Sequence, residues 1–158
     1  MTASAIVHAD FWRLFGCLWF WCGFGGWIVA SVAKLAINAW KTRTFDFEWL
    51  FSTGGMPSSH SASVSGLAFG IGYTEGFGTP LATLAFCFAV ITMFDAATVR
   101  KAAGEHAKVL NAIVRDLKEL KFKPATRLRE LLGHTSKEVF WGMLVGIAWA
   151  TLLCWLWK

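Results

Sequence analysis

The stretch Leu14–Ala33 reads LFGCLWFWCGFGGWIVASVA and contains no charged residue over 20 positions. Two further charge-free runs of 19 residues follow, Gly76–Phe94 and Val139–Trp157. A helix rises ~1.5 Å per residue, so each run is long enough to cross the ~30 Å hydrocarbon core of a bilayer. The pattern predicts an all-α integral membrane protein.

The composition of the 158-residue chain favours the same class. Apolar residues make up 56% of it, above the roughly 45–50% that is typical of soluble domains. Ten Trp and 14 Phe are present, and aromatic rings suit the membrane–water boundary. A soluble fold of this length could not bury so much apolar surface. We therefore expect one membrane-embedded domain over residues 1–158.

The runs predict about four transmembrane helices. Long helices are expected at 12–36, 80–97 and 136–157. The apolar stretch Ser61–Thr74 has only 14 residues and is rich in Ser and Gly. The helix expected at 58–74 is therefore predicted to pack tightly against other helices rather than to face lipid.

The basic residues are unevenly distributed, which predicts an orientation. Nine of the 15 Lys and Arg residues lie in 99–133, whereas the turn at 74–80 has none. Because basic loops stay in the cytoplasm, 99–133 and 41–57 are expected on the cytoplasmic side of the cytoplasmic membrane. No nucleic-acid motif accompanies the net charge of +5, so anionic lipid headgroups are the expected partner.

An amphipathic helix is predicted within the basic segment, because five apolar residues follow helical spacing. They are Leu110, Ile113, Val114, Leu117 and Leu120. Such a helix can pack on the protein's own core, lie on the lipid surface or form a homo-oligomer contact, and the sequence leaves these alternatives open. The four Cys lie inside apolar runs without metal-ligand spacing, so neither a metal nor a cofactor is expected.

The segment Gly54–His60, GGMPSSH, precedes the short helix. Its glycines free the backbone, Pro57 suits a first helical turn, and Ser58 and Ser59 then lie at a helix N-terminus. Such an end binds anions, and His60 beside it could donate a proton near neutral pH. The alternative is an ordinary capped helix with an interfacial histidine.

Further cations and a histidine are predicted on the same side of the membrane. His134 and Glu138 open the last helix and share one face, because they are four residues apart. The expected cations are Lys34, Lys41, Arg43 and Arg100. Cations, a helix N-terminus and two histidines on one side make a plausible phosphoryl-transfer site.

Three segments together resemble the divergent branch of the type-2 phosphatidic acid phosphatase superfamily, which is related to acid phosphatases and vanadium-dependent haloperoxidases. They are Gly54–Ala62 (GGMPSSHSA), Asp95–Asn111 (DAATVRKAAGEHAKVLN) and Leu132–Gly146 (LGHTSKEVFWGMLVG). The resemblance covers most of residues 30–147. It implies a membrane lipid phosphatase that needs no metal, with phosphatidylglycerophosphate as the first-choice substrate.

The resemblance also implies roles for single residues. Pro57-Ser58-Ser59-His60 resembles the superfamily's Pro-Ser-Gly-His motif, so Ser58 would hold the phosphate and His60 would protonate the leaving oxygen. His134 would be the nucleophile and Glu138 would orient its ring. The small residues Gly142 and Gly146 resemble those of the family's following helix.

The sequence departs from the superfamily pattern in two places. The superfamily's third motif is Ser-Arg, five residues, His, three residues and Asp. Five residues likewise separate Arg100 from His106, but position 110 is Leu instead of Asp. We therefore favour His134 over His106 as the nucleophile, with Arg100 as the phosphate-binding arginine of a motif divided by an insertion. The superfamily's first motif is a Lys followed by Arg-Pro, and this chain has no Arg-Pro. We expect Lys34 to take the place of its Lys and Arg43 that of its Arg, with Lys41 as the substitute. A non-catalytic membrane protein that binds anionic lipid is the alternative function.

Overall fold

Helices make up all the regular structure in the parts of the chain that the structure describes. The computed structural model describes residues 11–45, 55–117 and 133–157. After a 3₁₀ helix at Phe11–Gly16, the α-helices are α1 (Leu18–Thr42), α2 (Ser59–Glu75), α3 (Pro80–Ala97), α4 (Val99–Leu117) and α5 (Ser136–Leu156). Leu18–Thr42, Pro80–Arg115 and Ser136–Leu156 are long and apolar enough to cross a membrane. The prediction of an all-α membrane helical bundle is confirmed.

The starts of α2, α3 and α5 agree with the sequence prediction to within one residue, because side-chain caps define them. Ser58 and Thr135 cap α2 and α5. Thr79 caps α3 by accepting a hydrogen bond from the N–H of Ala82 (3.3 Å), and Pro80 follows as the first helical residue. Proline is favoured there because the first helical N–H has no acceptor within the helix.

Helix α1 differs from the prediction of a helix at 12–36. It begins at Leu18 and continues to Thr42, because no Gly or Pro interrupts the segment after Lys34. It ends at Arg43, whose positive φ of 59° is the left-handed conformation of many helix ends. Lys34 therefore lies about two turns inside the helix instead of close to its end.

Helix α2 is short and lies in the centre of the bundle, as its Ser- and Gly-rich sequence predicts. Most of its small residues are buried, and it packs against α1, α3 and α5. A Cβ atom at Gly142 of α5 would collide with the backbone of Ser58, and one at Gly146 with that of Ala62. Because small residues permit such close approach, α2 and α5 pack backbone to backbone.

Hydrogen bonds at both ends of the bundle show that α2 and α5 run parallel to each other and antiparallel to α1 and α3. At one end, Ser58 N–H donates to the carbonyl of Glu138 (3.0 Å). At the other end, the indole N–H of Trp19 donates to Thr74 Oγ1 (2.8 Å), joining the start of α1 to the end of α2. The starts of α2 and α5 and the ends of α1 and α3 therefore share one end of the bundle.

The predicted amphipathic helix is present as α4, which follows α3 after the single residue Thr98. Its apolar face remains open, since Leu110 and Ile113 are each 49% exposed. Among the described helices, α4 packs against α3. Leu120, the last predicted member of the apolar face, lies outside the described residues.

Candidate functional site

The N-terminus of α2 forms one side of the site. Gly55 has a positive φ of 93°, and Ser58 is the capping residue. The Ser58 hydroxyl oxygen accepts hydrogen bonds from the N–H and the hydroxyl of Ser61, at 3.4 and 3.1 Å. Ser58 and Ser59 are both buried. The next N–H group of the first turn, at Ser59, has no acceptor within the helix.

The N-terminus of α5 forms the other side and fixes the position of Glu138. Gly133 has a positive φ of 95°, and Thr135 caps the helix. Glu138 Oε2 accepts a hydrogen bond from the N–H of Thr135 (2.8 Å), while Thr135 Oγ1 accepts one from the N–H of Glu138 (3.3 Å). This reciprocal capping box holds the carboxylate against the helix end.

The same carboxylate oxygen lies beside His134. Glu138 Oε2 is 3.4 Å from His134 Nδ1, and the backbone N–H of His134 donates to the carbonyl of Ala96 (3.0 Å). His134 is only 2% exposed, and its Nε2 is buried without a hydrogen-bond partner among the described residues. A proton on Nδ1 directed at the carboxylate leaves the Nε2 lone pair available for reaction.

The two helix N-termini meet, so the two histidines lie close together. Ser58 N–H donates to the carbonyl of Glu138, and the ring centroids of His60 and His134 are 6.1 Å apart. This separation leaves both rings within reach of a single small group, such as a phosphate, placed beside them. The sequence prediction that these residues share one end of the bundle agrees with the geometry.

Lys34 brings a positive charge into the interior of the bundle. It is 1% exposed, so its side chain does not extend to the surface as that of a lysine near a helix end often does. Its charge acts on both Glu138 and His134. A buried ammonium requires nearby negative charge, and the carboxylate of Glu138 supplies part of it.

The environment of His134 favours its neutral imidazole. Burial lowers the pKa of His134, the Glu138 carboxylate opposes that shift, and the charges of Lys34 and His60 act in the same direction as burial. A neutral imidazole is the form in which histidine can act as a nucleophile.

Of the remaining predicted residues, Lys41, Arg43 and His106 fall outside this buried cluster. Lys41 and Arg43 are exposed at the end of α1. The side chain of Arg100, in the first turn of α4, lies outside the described residues. His106 is exposed on α4. Within the described ranges, no group of three or more His, Cys, Asp and Glu residues could hold a metal ion.

Sequence reasoning predicted Glu138 but missed two residues of this region, Thr135 and Ser31. Thr135 and Glu138 form the Thr-x-x-Glu signature of a capping box, so the anchoring of the carboxylate was readable from the sequence. Ser31 is buried on α1 one turn before Lys34. A single serine in an apolar run carries no comparable signal.

Comparisons with known proteins agree with the resemblance in the sequence. The model of the Divergent PAP2 family matches residues 17–149. The chain is 44% identical over 131 residues to YuiD, an uncharacterized membrane protein of Bacillus subtilis strain 168. The aligned region covers 76% of this chain and 83% of YuiD. No solved structure matches the chain. On the extent of the family match, this protein is a member of the Divergent PAP2 family.

Proposed function

We propose that the protein is a metal-independent lipid phosphatase that hydrolyses a lipid phosphate monoester through a phosphohistidine intermediate. The observation that carries the proposal is the contact of the buried His134 with the Glu138 carboxylate, with His60 and Lys34 beside it. A histidine oriented by a carboxylate, a second histidine and a cation are the groups that covalent phosphoryl transfer requires.

In the first step, Nε2 of His134 attacks phosphorus and forms an N–P bond while the P–O bond to the lipid breaks. His60 gives its proton to the departing lipid oxygen. In the second step, water attacks the phosphohistidine, His60 accepts a proton from that water, and the N–P bond breaks. Inorganic phosphate leaves, and both histidines return to their starting states.

The positive charge of the site takes the place of a metal ion in this proposal. Lys34 lies in the interior beside the catalytic pair. Further positive charge for phosphate binding would come from the same end of the bundle, from Lys41, Arg43 and Arg100. The Ser58 N–H is already bonded to Glu138. Ser58 therefore contributes its hydroxyl, and Ser59 its first-turn N–H, to phosphate binding.

The position of the site favours a lipid substrate. It lies at one end of a bundle whose helices carry exposed apolar side chains along their length, so acyl chains can stay in the bilayer while the headgroup enters. Phosphatidylglycerophosphate is our first choice, on the strength of the resemblance. Phosphatidate and polyprenyl phosphates follow.

The alternative is a non-catalytic protein that binds anionic lipid. The exposed Lys41 and Arg43 and the open apolar face of α4 favour it, because basic residues beside an amphipathic helix bind anionic membrane surfaces.

Phosphate release from a panel of lipid phosphates separates the two functions. Detergent-purified protein should release phosphate from at least one lipid of the panel, with and without EDTA, and vanadate should inhibit. Lipid binding without phosphate release across the panel would favour the alternative. A strict requirement for a divalent ion would contradict the role of the cations.

We further propose that the site faces the cytoplasm. Single Cys probes at Gly78 and Ser136, in a background in which the four native Cys are replaced, test this orientation. Position 78 lies in the turn at the end opposite the site and has open space around it, whereas Ser136 is exposed beside His134. A membrane-impermeant thiol reagent should label position 78 in intact cells and spare position 136. Labelling of position 136 alone would show that the site faces the outside of the cell.

A further inference from the structure

The hydroxyl of Ser31 lacks the hydrogen bond that other Ser and Thr hydroxyls make within the described helices. Threonine hydroxyls in these helices donate to the carbonyl four residues earlier, as Thr92 does to Phe88 (2.8 Å) and Thr151 to Ile147 (2.8 Å). Ser31 is 1% exposed, yet its Oγ has no hydrogen-bond partner among the described residues. Its hydroxyl is buried but not used by the helix.

A buried hydroxyl without a partner lowers stability, because it loses its hydrogen bonds to water and receives none in return. Alanine has a higher helix propensity than serine and would fill the same place without that loss. We therefore expect the hydroxyl to form a hydrogen bond with a ligand rather than with another part of the chain.

The location of Ser31 indicates which group this is. Ser31 and Lys34 are three residues apart on one buried face of α1, about 4.5 Å along the helix axis. The charge of Lys34 acts on His134, whose Nε2 is a second buried polar atom that lacks a partner within the described chain. The two buried atoms lie on different helices, and Lys34 connects them, because it is one turn from Ser31 and its charge acts on His134.

We propose that Ser31 is a substrate-binding residue whose hydroxyl donates a hydrogen bond to a phosphate oxygen held beside Lys34 and His134. The ligand class is a tetrahedral oxyanion, either the phosphate of a lipid headgroup or free inorganic phosphate. The inference rests on the proposed function for the identity of the reacting group, but binding of the anion does not depend on turnover.

The experiment compares Ser31→Ala with a matched control, Ser65→Ala, in detergent. Ser65 is also a buried serine, but its hydroxyl donates to the carbonyl of Met143 (3.2 Å) and so belongs to the packing of α2 on α5. The probes are inorganic phosphate, vanadate and short-chain phosphatidate. The readouts are the thermal unfolding temperature, with and without each probe, and the kinetic constants for phosphatidate.

Ser31→Ala should unfold at the same or a higher temperature than the wild type without anion, and should bind vanadate about 10- to 100-fold more weakly. Ser65→Ala should unfold at a lower temperature and keep the wild-type affinity. Ser31→Thr, which retains a hydroxyl, should restore part of the affinity. A response to inorganic phosphate alone identifies the free anion as the ligand, and a response to phosphatidate alone identifies the lipid.

Two outcomes separate this inference from the proposed function. If the wild type releases no phosphate but vanadate raises its unfolding temperature and Ser31→Ala removes that rise, the anion site stands without catalysis. If the wild type is active and Ser31→Ala leaves KM, kcat and vanadate affinity unchanged, the inference fails and the function stands. Loss of stability in Ser31→Ala without anion would also overturn it, because the hydroxyl would then serve the fold.

Discussion

His134 and His106 occupy opposite environments on the two sides of the segment that joins α4 to α5. His134 is buried, its Nδ1 faces a carboxylate that a capping box holds in place, and a lysine and a second histidine act on it. His106 is exposed on α4, and the position four residues later is Leu110. The spacing from Arg100 alone favours His106, whereas burial and the carboxylate favour His134. Spacing in a sequence is therefore a weaker basis for proposing a nucleophile than the presence of a group that would orient it.

Removing each histidine in turn is the most direct test of which one is the nucleophile. His134→Ala should abolish phosphate release, because loss of a covalent nucleophile commonly removes several orders of magnitude in rate. His106→Ala should retain activity near that of the wild type. Phosphate release and thermal unfolding in detergent are the measurements. Turnover by His134→Ala together with its loss in His106→Ala would reverse the assignment.

Replacement of His60, which lies at the same end of the bundle as His134, should have a smaller effect on the rate. His60→Ala should slow alkyl phosphate hydrolysis by roughly 10²–10⁴-fold, because a poor leaving group needs a proton donor. A nitrophenyl ester leaves without that proton and should be affected much less. Initial rates on the two substrates measure the difference. Equal losses on both would indicate a phosphate-binding role for His60 instead.

The close contact between α2 and α5 gives a test of stability rather than of chemistry. Gly142→Ala places a methyl group against the backbone of Ser58, so it should destabilise the protein by about 1–3 kcal/mol, the usual effect of overpacking. Gly78→Ala is the matched control, since nothing lies within 4 Å of its Cβ position. Equal unfolding temperatures for the two variants would mean that the helices can separate without loss.

The smallest expected effect is on the titration of His134. Burial lowers the pKa of His134 and the Glu138 carboxylate raises it, so the wild-type midpoint should lie below about 6.5, the ordinary value. Glu138→Gln removes the charge that favours the imidazolium, so the midpoint should move further down. NMR of ring-labelled histidine, assigned with His134→Gln, measures both values. An upward shift in Glu138→Gln would contradict the orientation of the pair.

Much of the bundle was predictable because its signals are local. Charge-free runs identify the long helices, and Ser58, Thr79 and Pro80 mark helix starts through their own side chains. The C-terminal extent of α1 was missed, since no Gly or Pro shows where it ends. In the site, the spacing of His134 and Glu138 predicts their contact, because one helix turn brings them together.

The surroundings of Lys34 and Ser31 were not predictable to the same degree. A lysine near a helix end can extend to the surface or turn inward, and a serine in an apolar helix can bond to its own backbone. The choice depends on which neighbouring helix covers that face. Here α2 and α5 approach closely through Gly142 and Gly146, and long-range packing of this kind leaves little trace in a single sequence.

The bond from Ser58 N–H to the carbonyl of Glu138 involves main-chain atoms alone. Side-chain substitution at either position leaves both partners in place, and only proline at position 58 would delete the donor. Other substitutions at these two positions therefore keep the bond that joins the helix carrying His60 to the helix carrying His134. Relatives could exchange the side chains around the site and change its chemistry while the spacing of the two rings is inherited unchanged.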